Sequence, residues 1–134
     1  MTPSPNDGPM AISVVVLTFN AETTIGATLA SAKRISDDIH VVDSYSTDTT
    51  LDIARAAGAT IVQHPFENYG AQRNWAIANC ALRHEWELHL DADERLSEEL
   101  VGKLAALMVA SPAPEIAGYY IPRLVYYLGR WWWR

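Results

Sequence analysis

Apolar and polar positions along this chain alternate between two rhythms. "ISVVVLTFN" (residues 12–20) is a continuous, β-branched apolar run that ends in polar residues, the pattern of a strand buried on both faces. "AETTIGATLASAKR" (21–34) then places Ile25, Leu29 and Ala32 at helical spacing. The pair repeats. "DIHVVDS" (38–44) reads as a strand and "TDTTLDIARAAGA" (47–59) as a helix with Leu51, Ala54 and Ala57 on one side and Gly58 as its stop. "TIVQH" (60–64) is a third strand, and "GAQRNWAIANCALR" (70–83) a third helix. "WELHLDAD" (86–93) is a fourth strand, followed by a helix capped by Ser97, with Glu98 and Glu99 in its first turn and Leu100, Leu104, Leu107 and Met108 on one face. "SPAPE" (111–115) reads as a loop. "GYYIPRLVYYLG" (118–129) is extended, with Pro122 confining it to an edge or a bend.

Strands alternating with helices predict an α/β fold: a mostly parallel sheet, right-handed crossovers, and helices on both faces. Ligands of such sheets bind at the carboxyl ends of the strands, near a topological switch point. The strand ends here are Thr18-Phe19-Asn20, Asp43-Ser44, Gln63-His64 and Asp91-Ala92-Asp93.

Composition narrows the classes. The 134 residues fit one domain, with 49% hydrophobic and 19% charged residues, as in a globular protein. A net charge of -6 argues against nucleic acid as a partner, and an acidic protein that binds phosphates usually needs a cation between them. Cys80 is the one cysteine, so the chain has no disulfide framework and reads as belonging to a reducing, cytoplasmic compartment. Within "WAIANCAL" it reads as a small buried hydrophobe rather than a nucleophile. No apolar run is long enough to span a bilayer. "MTPSPNDGP" lacks the positive and apolar regions of a signal peptide, so residues 1–10 read as a disordered leader and 11–134 as the domain.

The candidate chemistry lies at the strand ends. Along this extended strand, Asp91 and Asp93 should face one side together and small Ala92 should turn away. Two carboxylates so close repel each other, which a shared proton, solvent or a cation relieves. Mg²⁺ or Mn²⁺ carrying a diphosphate needs only one or two carboxylates from the protein. The alternative is a solvated strand-to-helix corner. Asp43 ends the second strand, and Asp48 reads as a helix cap. Arg73 can meet phosphate oxygens in bidentate fashion or lie idle at the surface. His64 and His89 have no partner at metal spacing and read as structural, although His89 should share a face with Asp91. Trp131, Trp132 and Trp133, flanked by arginines, either make peripheral contact with a membrane's inner face or pack against further structure.

"SVVVLTFNAETTIGATLASA", "VVDSYSTDTT", "HPFENYGAQRNWAI" and "LHLDADERLSEEL" together resemble family 2 glycosyltransferases of the GT-A fold, nearest to bacterial lipopolysaccharide-core glycosyltransferases. The resemblance implies metal-assisted, inverting transfer of a sugar from a nucleotide-diphosphate donor to a saccharide or lipid-linked acceptor. It implies that Thr18, Phe19 and Asn20 lie against the nucleotide and that Asp43 contacts the base. Arg73 would approach the base or diphosphate, Asp91 the ribose or a metal-bound water, and Asp93 would ligate the metal. Ser44 and Tyr45 stand where the general family pattern has Asp and Gly. Family members are longer and take their general base from the second half. After Asp93 this chain offers Glu94, Glu98, Glu99 and Glu115, none suited to that role, so the expectation is a donor-binding domain incomplete at its C-terminus. Three other readings compete. A phosphatase with Asp91 as nucleophile would carry its Asp-x-Asp on the first strand. A dinucleotide-binding oxidoreductase lacks its G-x-G-x-x-G here. A module that binds nucleotide sugar without turnover remains open.

Overall fold

The computed structural model describes residues 9–127 and 130–133, the last two strands by backbone alone. Strands β1 (Ile12–Thr18), β2 (Asp38–Asp43), β3 (Thr60–Gln63) and β4 (Trp86–Asp91) alternate with helices α1 (Ile25–Ala32), α2 (Thr50–Ala56), α3 (Tyr69–Asn79) and α4 (Glu98–Ala110). The four strands form one all-parallel sheet in the order β3-β2-β1-β4. The predicted α/β architecture is the observed one.

Central position explains the apolar run of β1: all seven of its residues are buried. Its side chains alternate between two cores. Ile12, Val14 and Val16 join Val41 and Leu90 under α1, α2 and α4, while Val15 and Leu17 join Val42 against Ala76 of α3. Each fully buried valine stabilises the fold by roughly 1.5–3 kcal/mol relative to exposure. Met10, assigned by sequence to the leader, is in the first core, and its amide donates to Ile35 O at 2.7 Å. The rest of that expectation, residues 1–8, lies outside the described residues.

Helix ends differ from the sequence reading where side chains outbid helical hydrogen bonds. α1 begins at Ile25 rather than at residue 21, because the preceding residues form a loop bonded to the β2–α2 connection. In α2 the buried positions are Thr50 and Ala54, and Leu51 is only half-buried. In α4 the deepest residues are Val101 and Ala105, one position round from the expected leucine stripe. Leu100, Leu104 and Leu107 instead line a shallow groove of about 260 Å³ against Tyr119–Pro122. Ser97 caps α4 as expected, accepting from Leu100 N at 3.1 Å. Past Pro122, β5 (Leu124–Tyr127) pairs antiparallel with β6 (Arg130–Trp133), apart from the main sheet. The side chains of Trp131, Trp132 and Trp133, and with them the expected membrane contact, lie outside the described residues. Among the described residues no helix is long and apolar enough to cross a membrane.

Candidate functional site

From β1 the chain builds outward to β2 and β3, then returns to the other side of β1 for β4. The switch point therefore falls between β1 and β4. Register completes the placement: Thr18 pairs with Asp43, and Leu17 with Asp91. Thr18, Asp43 and Asp91 thus end three adjacent strands at the carboxyl edge, where parallel sheets take their ligands.

Two loops build one wall of this edge. Asn20 Oδ1 accepts from Thr47 N at 2.8 Å, while Asn20 N donates to Ser46 Oγ at 2.8 Å. Glu22 Oε2 accepts from Thr49 N at 3.0 Å, and Asp48 Oδ1 accepts from Thr50 N at 2.9 Å. Desolvation works against the Asp48 carboxylate, yet the bonds from Thr50 and from Glu22 N hold its pKa below the ordinary value. Asp48 Oδ1 thus takes the first amide of α2, one residue before the N-cap position expected of it, which Thr49 holds without a side-chain bond of its own. Two turns in the wall are left-handed: Asn20 has φ 45° and Tyr45 has φ 63°. Asn tolerates that region and Tyr does not, which fits the glycine of the general family pattern at the Tyr45 position. Phe19 and Tyr45 project into solvent, at 60% and 53% exposure.

Asp43 is fully buried. Its Oδ2 accepts from Ser46 N at 2.9 Å and from Gln63 Nε2 at 3.1 Å, and Ser46 Oγ donates to Oδ1. The carboxylate thus braces Ser46 and Gln63 at the strand end expected to meet the base.

The aspartate pair differs from the sequence reading. β4 ends at Asp91, and Ala92-Asp93 form a turn, so strand alternation does not carry through to Asp93. Asp91 is half-buried and Asp93 exposed, while Ala92 turns into the core at 7% exposure. Three contacts fix the turn. Arg73 Nη2 donates to Asp91 Oδ1 at 3.0 Å, buried Thr28 Oγ1 donates to Ala92 O at 2.8 Å, and Asp91 N donates to Glu94 Oε1 at 2.7 Å. Two buried polar atoms at this edge, Thr18 Oγ1 and Arg73 Nη1, have no hydrogen-bond partner. Such atoms are costly unless something satisfies them. Hard carboxylate oxygens on Asp91 and Asp93 suit Mg²⁺ or Mn²⁺. Among the described residues no group of three His, Cys, Asp or Glu side chains could hold a metal alone, so phosphate or water oxygens must complete the shell of any cation bound at this pair.

The remaining candidates are structural. His64 stacks on Trp75 with ring centroids 4.2 Å apart, and its Nδ1 lies 2.8 Å from Gln72 Oε1. His89 shares the face of Glu87 and Asp91 as expected, with Nε2 3.0 Å from Glu87 Oε2 and a buried Nδ1 without a partner. Burial and the nearby Asp38 charge push the Cys80 thiol up, away from nucleophile chemistry. Of the carboxylates after Asp93, Glu94 pairs with Arg123, Glu98 with Arg34 and Glu99 with Lys103. Sequence reasoning missed Glu22, Thr28 and Glu94. Only Glu94 had a signal, its place directly after the aspartate pair.

Comparison with known proteins places the fold first. The structure is similar to that of S. aureus TarS 1-349 (TM-score 0.62, 28% identity, covering 74% of this chain and 32% of that one). It is also similar to Mycobacterium tuberculosis glucosyl-3-phosphoglycerate synthase in complex with Mn²⁺ and uridine-diphosphate-glucose (TM-score 0.51, 28% identity, 63% and 33%). The class is thus the GT-A glycosyltransferase fold. Residues 13–133 match Glycosyl transferase family 2, and the chain belongs to that family. Curated relatives include a Rickettsia typhi glycosyltransferase, 35% identical over 118 residues, and the Rhizobium meliloti lipopolysaccharide core biosynthesis glycosyltransferase LpsC, 32% identical over 125 residues. The alignments take in 88% and 90% of this chain but 40% and 44% of those relatives. Family membership displaces the phosphatase and oxidoreductase readings.

Proposed function

We propose that this chain binds a nucleoside diphosphate sugar at the β1–β4 switch point, with Mg²⁺ or Mn²⁺ at Asp91 and Asp93. It thereby serves inverting transfer of the sugar to a saccharide or lipid-linked acceptor in cell-envelope glycan synthesis. The observation that carries the reading is the pair of unsatisfied buried polar atoms, Thr18 Oγ1 and Arg73 Nη1, at this carboxyl edge, where β4 also ends in Asp91. The likeness to a synthase crystallised with Mn²⁺ and uridine-diphosphate-glucose supports the donor class, and the likeness to LpsC supports the acceptor class.

Each side chain then has a task. Exposed Phe19 lies against the base. Asn20 and Asp43 hold the loops that form its pocket, Asp43 through Ser46 and Gln63. Arg73 keeps Asp91 oriented with Nη2 and presents Nη1 to a phosphate oxygen. Asp93 offers its exposed carboxylate to the cation. The cation, when bound, supplies charge that stabilises the leaving nucleoside diphosphate. A module that binds donor without turnover is the second reading, favoured by one fact: Glu94, Glu98 and Glu99 are all held in ion pairs.

Calorimetry with UDP and other nucleoside diphosphates, with and without Mn²⁺, tests the site. Binding should need the metal and should weaken at least about tenfold in Asp93→Ala. Binding indifferent to both would overturn the site as drawn. Transfer to an acceptor would then separate the two readings.

A further inference from the structure

Glu94 is unlike the other carboxylates after the aspartate pair, because its first contact is with the backbone of Asp91. Its Oε1 accepts from Asp91 N at 2.7 Å, and its own amide donates to Asp91 O at 3.0 Å. The two bonds close a reciprocal ring around Ala92 and Asp93. Its second oxygen, Oε2, lies 3.0 Å from Arg123 Nε, so the ring is also tied to the segment that leads into β5. With 23% of its side chain exposed, Glu94 is sheltered from water on most sides. Asp93 has no strand to hold it. Its direction is set by the turn, and the turn is set by Glu94 on one side and by the Thr28 hydroxyl on Ala92 O on the other.

We infer that Glu94 is a positioning residue: its Oε1, by accepting the Asp91 amide, holds the Asp91–Asp93 turn in the geometry that takes the cation. This rests on the metal role proposed above for Asp91 and Asp93. Removing a supporting partner one step out from a ligand typically costs about 10–100-fold in metal affinity. The function belongs to the acceptor oxygen and not to the charge. Glutamine keeps that oxygen at the same reach and weakens the pair with Arg123. Aspartate keeps the charge but is one methylene too short to reach the Asp91 amide.

The experiment compares Glu94→Gln and Glu94→Asp in the 134-residue chain. Two readouts are taken: hydrogen exchange of the Asp91 amide without metal, and UDP binding as a function of Mn²⁺. Glu94→Asp should speed exchange at Asp91 about tenfold and weaken Mn²⁺-dependent UDP binding about tenfold, while Glu94→Gln stays within about threefold of wild type on both. Thermal melting should be alike in all three proteins, so a general loss of structure is distinguished from a misplaced turn. If both variants behave as wild type, or if both lose equally, the inference is wrong; equal loss would assign the effect to the Arg123 pair. If wild type itself shows no Mn²⁺-dependent UDP binding, the proposed function fails, and the exchange readout still decides whether Glu94 holds the turn.

Discussion

The two ends of the parallel sheet both bury aspartates, and they treat them differently. At the amino end, Asp38 is closed in by its own protein. Ser13 Oγ donates to its Oδ2 at 2.6 Å, Arg83 N donates to the same oxygen at 2.8 Å, and His40 Nε2 lies 2.8 Å from Oδ1. Ser13 Oγ in turn accepts from His84 N at 3.0 Å. The network ties the α3–β4 connection to β1 and β2. At the carboxyl end, Asp43 is closed in the same way, but Thr18 Oγ1 on the neighbouring strand and Arg73 Nη1 beside Asp91 have no protein partner, and Asp93 is exposed. A satisfied buried network spends its polarity on stability. The carboxyl edge keeps polar atoms that no protein group answers.

The largest effect should come from emptying the closed end. Asp38→Ala removes the acceptor for a buried hydroxyl, a backbone amide and a histidine at once, so urea unfolding should show a loss of about 3 kcal/mol. A loss below about 1 kcal/mol would mean that water replaces the carboxylate and the two ends do not differ as described.

A pH series sharpens the same point. Burial alone would raise the Asp38 pKa, but the bonds from Arg83 N, Ser13 and His40 outweigh it and hold the carboxyl far below the ordinary range. A depressed folded-state pKa gives stability that is complete above the unfolded value and is lost as pH falls toward the folded one. The stability gap between wild type and Asp38→Asn should therefore be constant from neutral pH down to about 5 and should narrow below about pH 4. Asp48, also lowered, bonds to none of the groups around Asp38 and cancels.

Arg73 joins the two behaviours, since one nitrogen is satisfied and one is not. Arg73→Lys keeps the charge beside Asp91 but loses the planar fork. Stability should fall by about 1 kcal/mol or less, because the pair is part-exposed, whereas Mn²⁺-dependent UDP binding should fall about tenfold. Equal effects on both would make Arg73 a purely structural partner of Asp91.

Legibility in the sequence followed the same division. β1 could be read because a strand buried on both faces is almost wholly apolar, as "VVVL" is, and the others because short β-branched or apolar runs alternate with helical spacing. The strand ends then named Thr18, Asp43 and Asp91 without any contact being known. Side-chain bonds across long separations could not be read. Nothing in the spacing of Ser13, Asp38 and Arg83 announces that they meet. The turn at Asp93 was misjudged because period-two alternation says where side chains point only while the strand lasts, and Glu94 and Thr28 end it at Asp91. The bonds from Ser46 and Gln63 to Asp43 were equally invisible in the sequence.

Asp93→Ala gives the smallest expected change in stability and the clearest contrast with Asp38→Ala. Asp93 is exposed in a turn whose shape is set by the backbone contacts of its neighbours, so no packing and no buried bond is lost. Unfolding in urea should therefore lie within about 0.5 kcal/mol of wild type. If its removal costs no stability yet weakens metal-dependent nucleotide binding about tenfold or more, the carboxylate is held for a ligand. A loss of stability approaching that of Asp38→Ala would show instead that Asp93 braces the fold, and the contrast between the two ends of the sheet would disappear.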